Sequence, residues 1–245
     1  MTLSNRFFIN TFLDVSEVGM FSIAFKIATA LTFITFAVRM ALGPIIYEIA
    51  HNSTKPNDIY NEIFKWYYTL LCFFISAITL FGIDILYILT HPKFYDAEHV
   101  IFFLCLSSAG FGIAQMTSIG IAISKKTKYE SYANLIGAAI SIVLNIIFIP
   151  KYGIIGAAYT SALTLIIINI IQYYYSKKFY NLNYDLYSFF IVSLMTIACY
   201  FLSRYLNDFS IENILFKISI LVSFVLILFL VKIIDKKKVN SILKF

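Results

Sequence analysis

Lys26, Arg39 and Asp84 stand inside long apolar runs, and Gln115, Asn134 and Asn145 place amides in others. A charge at the centre of a membrane-crossing helix costs at least about 2.5–3.5 kcal/mol, so such groups face protein or a water-filled cavity. A lysine and an arginine held there would bind an anion, the arginine through two parallel hydrogen bonds from its planar fork. Each charge also has a plainer use, which is snorkelling toward the nearer headgroups. The amides would line the same cavity or hydrogen-bond between helices, the commoner use of amides in lipid. Nothing here has the spacing of a hydrolytic or metal centre. Cys72, Cys105 and Cys199 fall in different apolar runs with no C-x-x-C and no histidine nearby, so buried packing is expected, with no cofactor and no metal. His51, His91 and His99 lie in connections without partners, and paired catalytic groups are lacking, so the chain does not read as an enzyme.

The elements that must position these residues follow from composition. Of the 245 residues 60% are hydrophobic and 13% charged, with mean hydropathy +0.84, whereas soluble domains carry about a quarter charged residues. An integral membrane protein is expected. The apolar runs are about twenty residues long, the length a helix needs to cross a ~30 Å hydrocarbon core, and the alternating ten-residue pattern of a barrel is missing. The expected fold is therefore all-α, a polytopic transmembrane helix bundle. Seven spans are expected, at 19–48, 66–90, 98–123, 132–150, 153–175, 186–204 and 214–234, the last reading as nearly pure hydrocarbon. Residues 1–18 do not form a cleavable signal peptide by pattern. The connection 49–65 reads as a loop and a helix start, capped by Asn57 or Asp58 with Glu62 in the first turn.

Basic residues orient the spans. One set of alternating connections holds Lys55, Lys65, Lys125, Lys126, Lys128, Lys177 and Lys178, and the tail after them holds Lys236, Lys237, Lys238 and Lys244. The other side holds Arg6, Lys93, Lys151 and Arg204. Lysine-rich loops stay inside, which puts the N-terminus outside and the C-terminus in the cytoplasm. The basic clusters are attracted to anionic lipid, and no nucleic-acid partner is expected.

Between 132–150 and 153–175 stands Pro150-Lys151-Tyr152-Gly153, which predicts a tight outer turn between antiparallel spans. Gly156, Thr160 and Thr164 then make a small-residue row of the kind that lets helix backbones approach in lipid. Asn134, Ala138, Ser141 and Asn145 are expected on one common face of the preceding span.

The string LNIIFIPKYGIIGAAYTSALT at 144–164, preceded by KKTKYESYANLIGAAIS at 125–141, resembles the closing signature of bacterial polysaccharide flippases. The segment NRFFINTFLDVSEVGMFSIAFKIATALTFITFAVRMALGPIIYE at 5–48 is similar to the middle region of that family, where a seventh helix ends and an eighth begins. These flippases belong to the multidrug, oligosaccharidyl-lipid and polysaccharide exporter superfamily, and the resemblance covers roughly residues 5–180.

The resemblance implies the C-terminal lobe of a flippase of the O-antigen type, moving undecaprenyl-pyrophosphate-linked oligosaccharide across the bacterial inner membrane. By that comparison 1–18 is the outer end of a truncated helix, 19–180 the lobe, 181–234 two additional helices and 235–245 a basic cytoplasmic tail. Lys26 then occupies an A-F-K-I position where relatives carry a cavity-facing cation, and Arg39, about 140° around the helix, would bind pyrophosphate. Asp84, at a similar depth to Lys26, is its ion-pair partner or reaches the interface. Asn5 stands where relatives often have aspartate beside the arginine, here Arg6. The implied partners are lipid-linked oligosaccharide, membrane lipids, and a separately encoded N-terminal lobe or a second copy. A small-molecule antiporter half, an inactive remnant and a membrane-embedded glycan enzyme are the alternatives.

Overall fold

The structure is a computed structural model that describes residues 2–53, 55–180, 182, 184–206 and 209–231. The tail lysines Lys236, Lys237, Lys238 and Lys244, and the last residues of the expected seventh span, lie outside the described residues.

Ten α-helices and one 3₁₀ helix account for nearly all described residues, with no strand among them. They are α1 (Thr2–Phe12), α2 (Val15–Ala28), α3 (Ala30–Asn52), α4 (Pro56–Leu80), α5 (Gly82–Leu89), the 3₁₀ helix (Pro92–Ala97), α6 (Glu98–Thr117), α7 (Ile119–Ile123), α8 (Lys128–Tyr180), α9 (Leu186–Ser203) and α10 (Ile211–Leu230). Six segments among the described residues are long and apolar enough to cross a membrane. One of them, the 53-residue α8, is broken at Gly153 (φ 61°, ψ −143°). Its two arms pack against each other: a side chain on Gly137 would strike Ile168, and the Tyr129 ring lies 4.7 Å from that of Tyr175. A straight helix would hold such residues tens of ångströms apart at 1.5 Å per residue. The hairpin therefore makes two crossings, and the described residues make seven in all.

Lipid dictates this form, because every backbone polar group in hydrocarbon must be satisfied within its own segment. Where helices meet, small residues permit the approach. A Cβ on Gly156 would collide with the Phe148 carbonyl across the hairpin, and Thr160 and Thr164 are fully buried beside it. The expected small-residue row is thus the inner seam of α8. The turn itself differs from the expectation, since helix continues through Pro150, Lys151 and Tyr152 and the reversal sits on Gly153 alone. Proline removes a single donor, whereas the positive φ suits only glycine.

The expected cap of α4 is also corrected. Pro56 is the first residue of the helix and Lys55 its cap position, so Asn57 and Asp58 lie inside and Glu62 falls in the second turn. Proline is preorganised for that first position and forgoes no hydrogen bond there.

α6 is the central helix, with Val100, Ile101, Leu104, Cys105, Ala109 and Met116 buried against α2, α3, α4 and α8. α9 packs along α4. α10 is peripheral, and its buried side chains are Lys217, Phe224 and Leu228. Phe224 and Leu228 join Cys72, Leu80, Val192 and Cys199 in a separate apolar cluster. All three cysteines are buried and unpaired, as packing residues should be.

A charged pair, an amide knot and a cationic face

The connections between spans alternate between two rims of the bundle. Ser124 Oγ donates to the Phe179 carbonyl (3.4 Å) and the Asp185 amide to Asn61 Oδ1 (2.8 Å), which gathers the lysine-rich connections at one rim. Gly153, the 3₁₀ helix and residues 204–206 lie at the other.

Lys26 is exposed on α2 and lies in a shallow hollow with Thr90, His91 and Phe94, at the rim opposite the lysine-rich one. Arg39 is exposed on α3, on a surface shared with Phe33, Phe36 and Met40. Neither makes an ion pair among the described residues. The Val15–Asn52 segment presents most of its surface outward, as α8, α9 and α10 also do.

Asp84 does not pair with Lys26. Its carboxylate Oδ2 receives a hydrogen bond from Lys217 Nζ at 2.7 Å, and the two side chains are 6% and 0% exposed. Lys217 was hidden by the hydropathy of its own helix, where one lysine among twenty residues barely lowers the average. Two opposite charges in separate spans were the available signal. The rest of the neighbourhood is charged as well. Glu98, in the first turn of α6, is within electrostatic reach of Asp84, Lys217 and Arg204. Arg204 Nη1 lies 2.8 Å from His99 Nδ1, so His99 has a partner that its place in a connection did not suggest. Asp84 Oδ1 is buried and accepts no hydrogen bond from any described residue.

The amides separate. Asn145 is fully buried and donates to Asn5 Oδ1 at 2.9 Å, while Asn5 Nδ2 donates to Ser161 Oγ (2.5 Å) and the Ala157 carbonyl (3.3 Å). This knot ties α1 into the mouth of the hairpin, the helix-bridging use of amides. Asn134 is exposed and off that face, which instead carries Ala133, Gly137, Ser141, Asn145 and Ile149 at four-residue steps. The expected common face of Asn134, Ala138, Ser141 and Asn145 therefore splits, with Asn134 and Ala138 turned outward. Gln115 is half-buried in α6. Arg6 stands over the Phe25 ring at 5.9 Å.

An apolar cleft of about 710 Å³ opens between α4, α6, α9 and the second arm of α8, lined by Tyr68, Phe102, Tyr173, Phe189 and Tyr200 among others. Asn169 on its wall is already spent on the Gly110 and Leu165 carbonyls. Among the described residues no three His, Cys, Asp or Glu side chains converge as metal ligands would.

Seven apolar crossings, charges sequestered in pairs or turned outward, and lysines at one rim define a multi-pass α-helical membrane protein. The chain is similar to an uncharacterized membrane protein of Methanocaldococcus jannaschii, 31% identical over 167 residues. That stretch is 64% of this chain and 31% of the relative, so the chain matches about a third of the longer protein. No protein-family profile matches the chain, and no solved structure matches it.

Proposed function

We propose that this chain is one lobe of a membrane transporter of the polysaccharide-flippase kind, translocating polyprenyl-pyrophosphate-linked oligosaccharide, in bacteria the undecaprenyl form. The observation that carries the reading is the outward face of α2 and α3. It bears Lys26 and Arg39 on a segment that crosses the membrane and is mostly uncovered by the bundle. Arg39, further along this face, is costly against lipid and useful against a water-filled path, and Lys26 stands at the rim where such a path would open. A sugar diphosphate cannot cross hydrocarbon unaided, and two fixed cations at different depths would neutralise it in passage while its lipid tail stays in the bilayer. Alternating access needs a second bundle rocking about the site. A further lobe, or a second copy, would face α2 and α3. An antiporter half would carry an unpaired intramembrane carboxylate instead, and Asp84 is neutralised by Lys217.

The lysine-rich rim would be cytoplasmic; a cysteine at Lys126 labelled from outside intact cells would reverse that assignment. The functional test is glycan export in cells that depend on this chain. Lys26→Ala should abolish export with membrane insertion intact, and Lys26→Arg should keep part of it, since charge is retained and geometry altered. Full export from Lys26→Ala combined with Arg39→Ala would overturn the reading.

A further inference from the structure

A buried ion pair is a poor device for stability alone, because desolvating both charges offsets most of their attraction and an apolar pair of the same volume does as well or better. The Asp84–Lys217 pair has three features that a mere clamp would not need. Asp84 Oδ1 is buried without a donor, so the ionised carboxylate keeps an unsatisfied acceptor in the interior. A second carboxylate, Glu98, lies within electrostatic reach of the same ammonium, half-exposed at the rim where water begins. The ammonium belongs to α10, whose other buried side chains are Phe224 and Leu228, seven and eleven residues further along the same face.

We infer that Asp84, Glu98 and Lys217 form a proton-binding site whose occupancy controls the docking of α10 on the bundle. One ammonium serves two carboxylates. In the state described here it pairs with Asp84. A proton taken from water at the rim by Glu98 and passed to Asp84 Oδ1 leaves Asp84 neutral and Glu98 ionised. Lys217, still protonated, then loses its partner and is drawn toward Glu98 at the rim. One proton enters, no bond other than O–H changes, and α10 is displaced along its own axis or released. The other charges facing the site are Arg204 at the end of α9, which draws on Glu98, and His99 and Asp96 beside it; the charges of α4, Asp58, Glu62 and Lys65, lie in its first turns, away from the Leu80 end that precedes α5. The site stands on the α5–α10 geometry and does not depend on the substrate proposed above.

Hydrogen exchange of α10 amides in the full-length protein in lipid nanodiscs tests it, with rates corrected for the intrinsic pH dependence of exchange. If undocking takes up one proton, the opening equilibrium of α10 rises about tenfold for each unit that pH falls through the titration. α4 amides, outside the moving element, should show no such slope. Asp84→Asn imitates the protonated state and should leave α10 open at every pH. Asp84→Leu combined with Lys217→Met replaces the pair by apolar volume and should leave α10 docked at every pH, which keeps the test open if a single variant fails to fold. A flat profile in the wild type, or the wild-type slope in the double variant, would overturn the proposal.

Discussion

Lys217 Nζ lies 2.7 Å from Asp84 Oδ2, joining the last described helix to a short helix 133 positions earlier in the chain. Because both groups are buried, removing one strands the other. Asp84→Leu or Lys217→Met alone should lower stability by roughly 3–5 kcal/mol, while the double change should recover most of the loss. Denaturation of the detergent-solubilised protein measures this. Additive losses would show that the two side chains do not act as a pair.

The hairpin of α8 rests on two glycines for different reasons. Gly153 alone takes a positive φ, and Gly153→Ala should cost about 1–3 kcal/mol as backbone strain. At Gly156 the obstacle is the Phe148 carbonyl, which no rotamer change can move aside. Gly156→Ala should therefore be the more damaging change, visible as increased proteolysis between the arms. The opposite ranking would mean that the arms tolerate separation.

Asp185 caps α9 by accepting from the Tyr187 and Ser188 amides, with the Ser188 hydroxyl donating at 2.5 Å. The Ser188 hydrogen bond, outweighing partial burial, holds its carboxyl below the ordinary value. A depressed carboxyl stabilises the fold above its unfolded pKa, and that contribution fades as pH falls through the folded value. Asp185→Ala should cost about 1 kcal/mol at neutral pH and progressively less in acid below the ordinary carboxylate range. Hydrogen exchange in the first turn of α9 reads it, and an equal effect at both pH values would put the cap's contribution elsewhere.

How far the sequence revealed these features depends on whether the physics is local. Span length and apolar composition are local, and most crossings lie near where they are expected, from 19–48 inside Val15–Asn52 to 186–204 on Leu186–Ser203, but the one expected at 66–90 is Pro56–Leu80, which starts and ends earlier and breaks at Phe81 before α5. Asp84 was legible as a buried carboxylate because one charge in an apolar run is conspicuous. Its partner was not, since pairing between spans is non-local and Lys26 stood at a comparable apparent depth. The three-dimensional path settles the choice, carrying α10 past α5 while α2 lies on the far side of the Thr90–Phe94 corner. The sequence leaves Asn145 open to cavity lining or helix bridging, and its hydrogen bond to Asn5 is a bridge between helices. Asn134 went astray because an eleven-residue step on a helix approximates a face, whereas packing along the hairpin selects the four-residue row from Ala133 to Ile149.

The central claim is that the cationic face of α2 and α3 is one wall of a path completed by another polypeptide bundle. Photoreactive amino acids placed at Phe36, Arg39 and Met40 in native membranes test it directly, with Ile218 and Leu226 on the outward side of α10 as lipid-facing references. The account predicts adducts to polypeptide from the α3 positions and to lipid alone from α10. Adducts to lipid alone from all five positions would contradict it.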